Sequence, residues 1–438
     1  MFKRIEIIFL MLAVTVAARA QTNFSSLEDL WKYADAHNVT IRNAGYELNK
    51  AQSARKQSYL AFLPQASVNG TFTYNTSLQT TLMPAEIFGG PAGTYKPVQF
   101  GQKYIYNGGF SAQMDIVNLQ TWYNARIAKE TEAMNNAAVE NSHKLTYQQI
   151  ATQYYAYLLN KEAARLAVIT ESVADSILQS VTNKYNTGTV SLASLDIAKL
   201  NKEKAGQTLI TARFQIQTNK NNLKGLLDLE VGDTLDITAT LQTNLHDETA
   251  VAFTEDPAVR IAQYQSQISL SNFRAANANF FPTLSVLYNN STQQNDNKFE
   301  PLQGGGPSWY PASYWTLRLS WNIFNGGSRW LQSKKNKINW YESKMQFENT
   351  RKQSAINDEN LRLSYKKATE YQSGAERIMN LSFDNYRHIT YKYNEGLSTI
   401  DERLNAFTDY INYQNQYLNS LSDMLVQLYM VKIRQQSF

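Results

Sequence analysis

The run Trp315-Thr-Leu-Arg-Leu-Ser-Trp-Asn-Ile-Phe-Asn-Gly-Gly327 changes periodicity partway along its length. In its first part Trp315, Leu317, Leu319, Trp321 and Ile323 alternate with Thr316, Arg318, Ser320 and Asn322. An extended chain therefore carries apolar side chains on one face and polar ones on the other. Two glycines end that pattern, and the 69 residues from Asn325 to Tyr393 contain no proline. At a rise of about 1.5 Å per residue, a helix of this length runs about 100 Å, too long for the interior of a compact domain. A short amphipathic strand feeding a very long helix is the unit from which the rest of the chain is read.

That unit occurs twice. Ile116 and Asn118 recur 207 residues later as Ile323 and Asn325, and Lys184-Tyr-Asn-x-Gly188 recurs 208 residues later as Lys392-Tyr-Asn-x-Gly396. Upstream the shift is 218: Arg42, Ala44, Tyr46, Ser53, Phe62, Pro64, Ser67 and Val68 return as Arg260, Ala262, Tyr264, Ser271, Phe280, Pro282, Ser285 and Val286. The second copy has lost about eleven residues between its strand signals. A unit near 200 residues is too long for a solenoid and reads as a duplicated hairpin of domain size.

Three further segments carry the period-two signal. Tyr104, Tyr106, Gly108, Phe110, Ala112 and Met114 alternate with Ile105, Asn107, Gly109, Ser111, Gln113 and Asp115, while Val68, Phe72, Tyr74 and then Leu284, Val286, Tyr288 give shorter copies. A lipid-facing barrel strand needs this pattern, and so does a half-buried sheet in a soluble domain. The loop with Pro84, Gly89, Gly90, Pro91, Gly93 and Pro97, and that with Gly304, Gly305, Gly306, Pro307 and Pro311, read as flexible connections. Neither continues into the lysine and hydroxyl residue of a phosphate loop.

The expected boundaries are a first repeat over 21–228, with a strand pair in 66–116 and a turn at 186–190, then a belt connector over 229–255. The second repeat spans 256–438, with a strand pair in 283–324 and a turn at 394–398. Within each repeat a helix of about 40 residues follows the turn, and another of about 25 precedes the Pro64 or Pro282 stop. Together these match the long helix, so each returning rod is two helices stacked end to end. The connector leaves such a rod partway and carries a short strand around Leu235 to Leu241. Ile169, Val173, Ile177, Val181 and Tyr185 recur at every fourth position and predict a narrow packing seam.

Lys3 and Arg4 precede an apolar run from Ile7 to Val16, followed by Ala18-Arg19-Ala20. This is the pattern of a secretory signal over residues 1–20, cleaved after Ala20. The run is shorter than the roughly 20 residues of a spanning helix, so any membrane crossing falls to strands. The 438 residues carry a net charge of +5 and no cysteine, which excludes disulfides, thiolate chemistry and an acylated N-terminal cysteine and speaks against nucleic acid as a partner.

With Leu63-Pro64 and Phe281-Pro282 ending helices before strands, Asn322 to Gly327 opening a long helix, and two Tyr-Asn-x-Gly turns, the chain resembles the TolC family of outer-membrane efflux channels over essentially its whole mature length. The resemblance implies a mainly α fold with transmembrane β structure. Duplicated long helical hairpins form an α-barrel tunnel in the periplasm, and four strands per chain enter a shared twelve-stranded β-barrel in the outer membrane. It implies a homotrimer; from the residues alone, four strands cannot close and two, three or four chains each satisfy closure. It also implies a passive duct in a tripartite efflux or type I secretion system, partnered by a periplasmic adaptor (membrane fusion protein) and through it an inner-membrane pump, with outer-membrane lipid around the barrel.

No catalytic, cofactor or metal constellation is expected. His37, His143, His246 and His388 are far apart, Asp358 and Glu359 read as a solvated face, and Arg329, Lys334, Lys335 and Lys337 as a basic one that could also attract anionic lipid or solutes. The resemblance places a periplasmic gate near the turns. Tyr393 matches its tyrosine and Glu402, beside Asp401, an acidic position, while Ser398 stands where an arginine is expected and Asn405 where a second acid is. Packing of Tyr393 in the hairpin seam is the alternative. Gly188 and Thr189 in one turn, and Gly396 and Leu397 in the other, are the candidate adaptor-docking points. Two other classes share parts of the pattern: a periplasmic coiled-coil adaptor and a structural envelope protein. Both lack a reason for two pairs of amphipathic strands.

Overall fold

The computed structural model describes residues 21–241, 252–299 and 309–436. The signal segment, His246 and the Gly304–Pro307 loop lie outside the described residues. In chain order the elements are β1 (Gln21–Phe24), α1 (Leu27–His37), α2 (Val39–Leu60), β2 (Gln65–Tyr74), β3 (Thr80–Pro84), β4 (Tyr95–Gln99), β5 (Tyr104–Val117), α3 (Leu119–Asn186), α4 (Leu192–Leu226), β6 (Thr234–Ile237), α5 (Pro257–Ala278), β7 (Thr283–Asp296), β8 (Trp309–Ser320), α6 (Ser328–Asn394) and α7 (Ile400–Gln435). No helix among the described residues is long and apolar enough to cross a membrane. The chain divides into two compact units, one of residues 1–49, 134–262 and 346–438 and one of 50–133 and 263–345, and this division cuts across the repeats.

The unit of 50–133 and 263–345 holds an antiparallel four-stranded sheet in the order β2-β5-β7-β8. Its register keeps like with like. Val68 pairs with Phe110, Phe72 with Tyr106 and Tyr74 with Tyr104, while Ser67 pairs with Ser111 and Thr71 with Asn107. Across β7 and β8, Val286 faces Leu317 and Tyr288 faces Trp315. A one-residue slip would move every side chain to the other face, so the alternation excludes it. Four helical segments hang from the strand ends in matching order. Arg55 of α2 pairs with Glu132 of α3 at 3.1 Å, Ser271 of α5 reaches Glu130 of α3 at 2.7 Å, and Ser333 of α6 reaches Asn277 of α5 at 2.6 Å.

Both strand-to-helix junctions rest on the repeated asparagine. Asn118 accepts from the backbone N–H groups of Gln120 and Thr121, as an N-cap does, and Asn325 accepts from that of Arg329. In the second copy Gly326 and Gly327 take φ of 66° and 82°, a left-handed pair that turns the chain from strand into helix. Helix starts at Leu119 and Ser328 follow. Strand β8 ends at Ser320, so Trp321 and Ile323, expected in the strand, belong to the junction.

Residues 75–103 depart from expectation. The proline- and glycine-rich segment expected as flexible connection contains the β3–β4 hairpin, in which Thr80 pairs with Gln99 and Pro84 with Tyr95. Ala85 N–H donates to Thr94 C=O, so the alternate pairs Pro84–Tyr95 and Leu82–Pro97 are non-hydrogen-bonded and neither proline costs a ladder bond. This insertion lies where the first repeat is the longer.

In the unit of 1–49, 134–262 and 346–438, β1 pairs in parallel with β6, and α1 begins with a capping box between Ser26 and Asp29. The β1 strand and the α1 helix carry no repeat signal and were not expected. Leu27, Leu30, Trp31, Ile150, Tyr154, Tyr155, Leu223, Ile237, Met424 and Leu425 form one core around them. Burial and a hydrogen bond with Tyr429 push the Tyr155 phenol far above its usual range. Nearby, Arg434 makes a two-pronged bond to Asp358 (2.8 and 2.9 Å) and donates to the Thr254 carbonyl, while Asp256 takes Lys144 at 2.7 Å and caps α5 through Ala258. Asp358 is therefore a partner of a buried arginine and not a solvated acid; Glu359 stays exposed. The helical period brings Asp358 to the covered side one residue before Glu359 leaves it.

Candidate functional site

The sheet and the pair of helical turns carry the two functional features, each within its own unit. On one face of the sheet Trp315, Leu317 and Leu319 are 72, 67 and 68 % exposed and Val68 82 %, while at one end of that face Tyr106 is buried and Phe299 packs on Phe72 and Tyr104. The opposite face presents Ser67, Asn69, Thr71, Asn107, Ser111, Gln113, Asn289, Ser291, Gln293 and Thr316. An apolar face turned outward and a polar face turned to the other side suit lipid and water respectively. The outer strands β2 and β8 each leave one edge of the sheet unpaired among the described residues. Backbone edges in hydrocarbon cost several kcal/mol per unmet group, so such a sheet is complete only when other strands adjoin it.

Each long helix ends in the same hydrogen-bonded turn. Thr189 N–H donates to Lys184 C=O at 2.8 Å and Gly188 to Tyr185 at 2.9 Å; Leu397 donates to Lys392 at 2.8 Å and Gly396 to Tyr393 at 3.1 Å. These are Schellman caps, which need a residue in the left-handed region, and Gly188 and Gly396 supply it at φ of 73° and 71°. A Cβ at either glycine would meet nothing within 4 Å. Thr189 and Leu397 are exposed beside them.

Each turn is followed by a cap at equivalent positions. Ser191 accepts from Ser194 N–H at 3.1 Å, and Thr399 from Glu402 N–H at 3.2 Å. Glu402 returns the bond to Thr399 N–H at 3.0 Å and also accepts from the Ser398 hydroxyl, completing a capping box on α7. The Ser398 hydroxyl first, then the Thr399 amide, hold the Glu402 pKa below its ordinary value. Ser398, in the expected arginine position, thus serves the carboxylate it sits beside. Asp401 is exposed in the first turn of the same helix, where the dipole favours an acid.

Tyr393 packs against the core made by Ile177, Val181, Leu195, Ile400, Leu404 and Phe407. Its ring lies between two cations, Lys184 Nζ at 4.3 Å and the Arg403 guanidinium at 5.2 Å from the centroid, and its buried hydroxyl has no hydrogen-bond partner. Lys184 comes from the first repeat and Arg403 from the helix after the turn. Sequence reasoning missed both, although Lys184 is part of the duplicated Lys-Tyr-Asn-x-Gly string. In the predicted seam, Ile177 and Val181 are fully covered while Ile169 and Tyr185 are exposed. A four-residue step overshoots one helical turn by about 40°, so the row walks off the covered side.

Residues 30–228 match the family described as outer membrane efflux protein. Among solved structures, the chain is similar to the CusC channel protein, at 15% identity and a TM-score of 0.79, covering 97% of this chain and 96% of that one. The outer membrane protein VceC of Vibrio cholerae is 16% identical with a TM-score of 0.75, covering 92% and 95%. The MtrE outer membrane channel of Neisseria gonorrhoeae in its open state is 16% identical with a TM-score of 0.74, covering 94% and 91%. Curated protein sequences give no significant match.

Proposed function

We propose that this chain, a member of the outer membrane efflux protein family by its first repeat and of its channels' fold along its length, is the outer-membrane exit duct of a tripartite efflux or type I secretion system. The carrying observation is the sheet: apolar on one exposed face, polar on the other and open at both edges. Three copies, contributing four strands each, close a twelve-stranded barrel with lipid outside and water within. The long helices then form the periplasmic tunnel. Exposed apolar residues on α6, among them Ile356, Leu363, Tyr371 and Ile378, recur at close to heptad spacing and suit packing against a further helix. Transport through such a duct is passive. Energy comes from an inner-membrane pump, reached through a periplasmic adaptor that docks at Gly188, Thr189, Gly396 and Leu397.

The gate is Tyr393 with Asp401 and Glu402 nearby. In this reading Tyr393 holds the closed position through the cations on its ring, and Asp401 and Glu402 surround the mouth with negative charge. Fractionation with outer membranes as an oligomer that dissociates only on heating, together with single-channel conductance in a planar bilayer, tests the proposal; a soluble monomer in the periplasmic fraction overturns it. The purified protein turns over no substrate unaided.

A further inference from the structure

The helical ends beneath the sheet carry a charge excess that the duct reading does not use. Segments 50–63, 119–133, 263–281 and 328–345 contain eleven Lys and Arg against three Asp and Glu, whereas the whole chain is only +5. Two of the three acids are already engaged, Glu132 by Arg55 and Glu130 by Arg126 and Ser271. The excess peaks at the start of α6, where no acid occurs from Trp309 to Tyr341 and Arg329, Lys334, Lys335 and Lys337 follow one another. No acid among the described residues lies within ion-pairing distance of the three lysines, and all three are exposed. A cluster of like charges with no acid beside it repels itself in water and gains from an anionic partner.

The same ends carry an apolar and aromatic belt: Tyr59 and Leu60 on α2, Trp122 on α3, Phe280 and Phe281 after α5, and Trp330 on α6, all exposed. Trp122 packs on Phe62 with ring centroids 5.2 Å apart. Lys334 lays its ammonium over Trp330 at 5.3 Å, and Lys337 over Tyr341 at 5.8 Å. Trp and Tyr interleaved with Lys at the edge of a hydrocarbon-facing surface mark the headgroup level of a bilayer. The belt is continuous along the chain with that surface through Leu319, Trp321, Ile323 and Phe324. Lys334 lies about 9 Å along the helix from its start, and Lys337 about 14 Å, so a flexible four-carbon stem returns each ammonium to the headgroup region.

We infer that this basic and aromatic collar is a binding surface for anionic phospholipid headgroups of the leaflet facing the periplasm, centred in each chain on Trp330, Lys334, Lys335 and Lys337. The inference rests on the outer-membrane reading of the sheet. Anionic lipid supplies the charge that the protein omits, and it supplies it in a continuous ring, which suits cations spread over four helical ends. A basic segment next to a membrane gains about 1 kcal/mol, or about fivefold in partitioning, for each lysine that reaches the surface.

The test reconstitutes the oligomer into nanodiscs of equal phosphatidylglycerol and phosphatidylcholine, extracts it in mild detergent, and quantifies the co-purified lipid by mass spectrometry. Wild type is expected to retain phosphatidylglycerol over phosphatidylcholine several-fold at low salt and less at high salt. The combined Lys334→Gln, Lys335→Gln, Lys337→Gln variant is expected to lose that preference while keeping oligomer level and conductance, since these side chains are exposed. Equal retention of both lipids by wild type, or an unchanged preference in the variant, overturns the inference. So does a loss of oligomer stability that is the same in both lipids, which would assign the lysines to a neighbouring copy. Failure of the protein to insert into any bilayer would instead overturn the duct reading.

Discussion

Tyr393 shows how one side chain changes meaning between sequence and structure. The family resemblance makes its place in Tyr-Asn-x-Gly a candidate gate position, yet the hydroxyl that a closing hydrogen bond would need is buried without a partner, and two cations lie on the ring. Tyr393→Phe is therefore expected to leave open probability in a planar bilayer unchanged. Lys184→Met and Arg403→Met, which keep bulk and remove charge, are each expected to raise it. A cation on an aromatic face contributes about 0.5–2 kcal/mol, so the shift should be between roughly twofold and thirtyfold. An effect of Tyr393→Phe as large as those would return the role to the hydroxyl.

The second residue-scale prediction concerns Arg434, whose side chain is 6% exposed and bonded to Asp358 and the Thr254 carbonyl. Arg434→Met leaves Asp358 without its partner and takes one of two cations from Asp256, which keeps Lys144, and removing one member of a buried pair costs about 3–5 kcal/mol. Thermal unfolding of the purified oligomer should register the loss. Burial raises the Asp256 pKa, but the Lys144 and Ala258 bonds and the charge of Arg434 outweigh it, leaving that pKa lowered. The sign follows: Asp256 contributes stability above the unfolded carboxylate pKa of about 3.9, and that contribution is lost as pH falls through the lower folded value. A melting profile flat through that range would remove Asp256 from the clamp.

At the scale of elements, the two turns are built alike and are the best place to separate folding from docking. A left-handed φ costs an ordinary residue about 1–2 kcal/mol, and asparagine less. Gly188→Asn and Gly396→Asn should therefore fold and assemble near wild-type level. The larger Gly188→Arg and Gly396→Arg project into space that is open in the single chain. Export is expected to fail in the arginine variants while oligomer level in the outer membrane persists. Normal export in both would show that no partner approaches these glycines. The turns were legible because a Schellman cap selects glycine at one position by backbone geometry alone. The β3–β4 hairpin was not legible, since its prolines and glycines suit a loop as well as an edge strand.

For the whole molecule, four strands with two open edges require other chains, and deletion of the gene is expected to increase retention of, or sensitivity to, some exported compound without altering its chemistry. Unchanged sensitivity across a broad compound panel, with no retained polypeptide, would count against the duct. The expected fourfold strand set, the long helices and the two turns are visible in the sequence because each follows from a local rule: period two, absence of proline, or a glycine at φ above zero. Duplication strengthens each rule by stating it twice.

What the sequence determined by itself is thus periodic and local: alternation fixed the sheet's two faces; proline-free runs fixed helix length; Asn118, Asn325, Gly188 and Gly396 fixed where helices start and stop. What only the tertiary structure decided is every pairing between segments distant in the chain. Lys184 meets Tyr393, Asp358 turns inward to Arg434, and β1 finds β6. The reason is physical. A periodic signal needs only neighbours a few residues apart, whereas the partner of a charge or an aromatic ring is set by which helix faces meet. The two repeats, nearly alike in pattern, leave Tyr185 exposed and pack its counterpart Tyr393, half-buried, against the core.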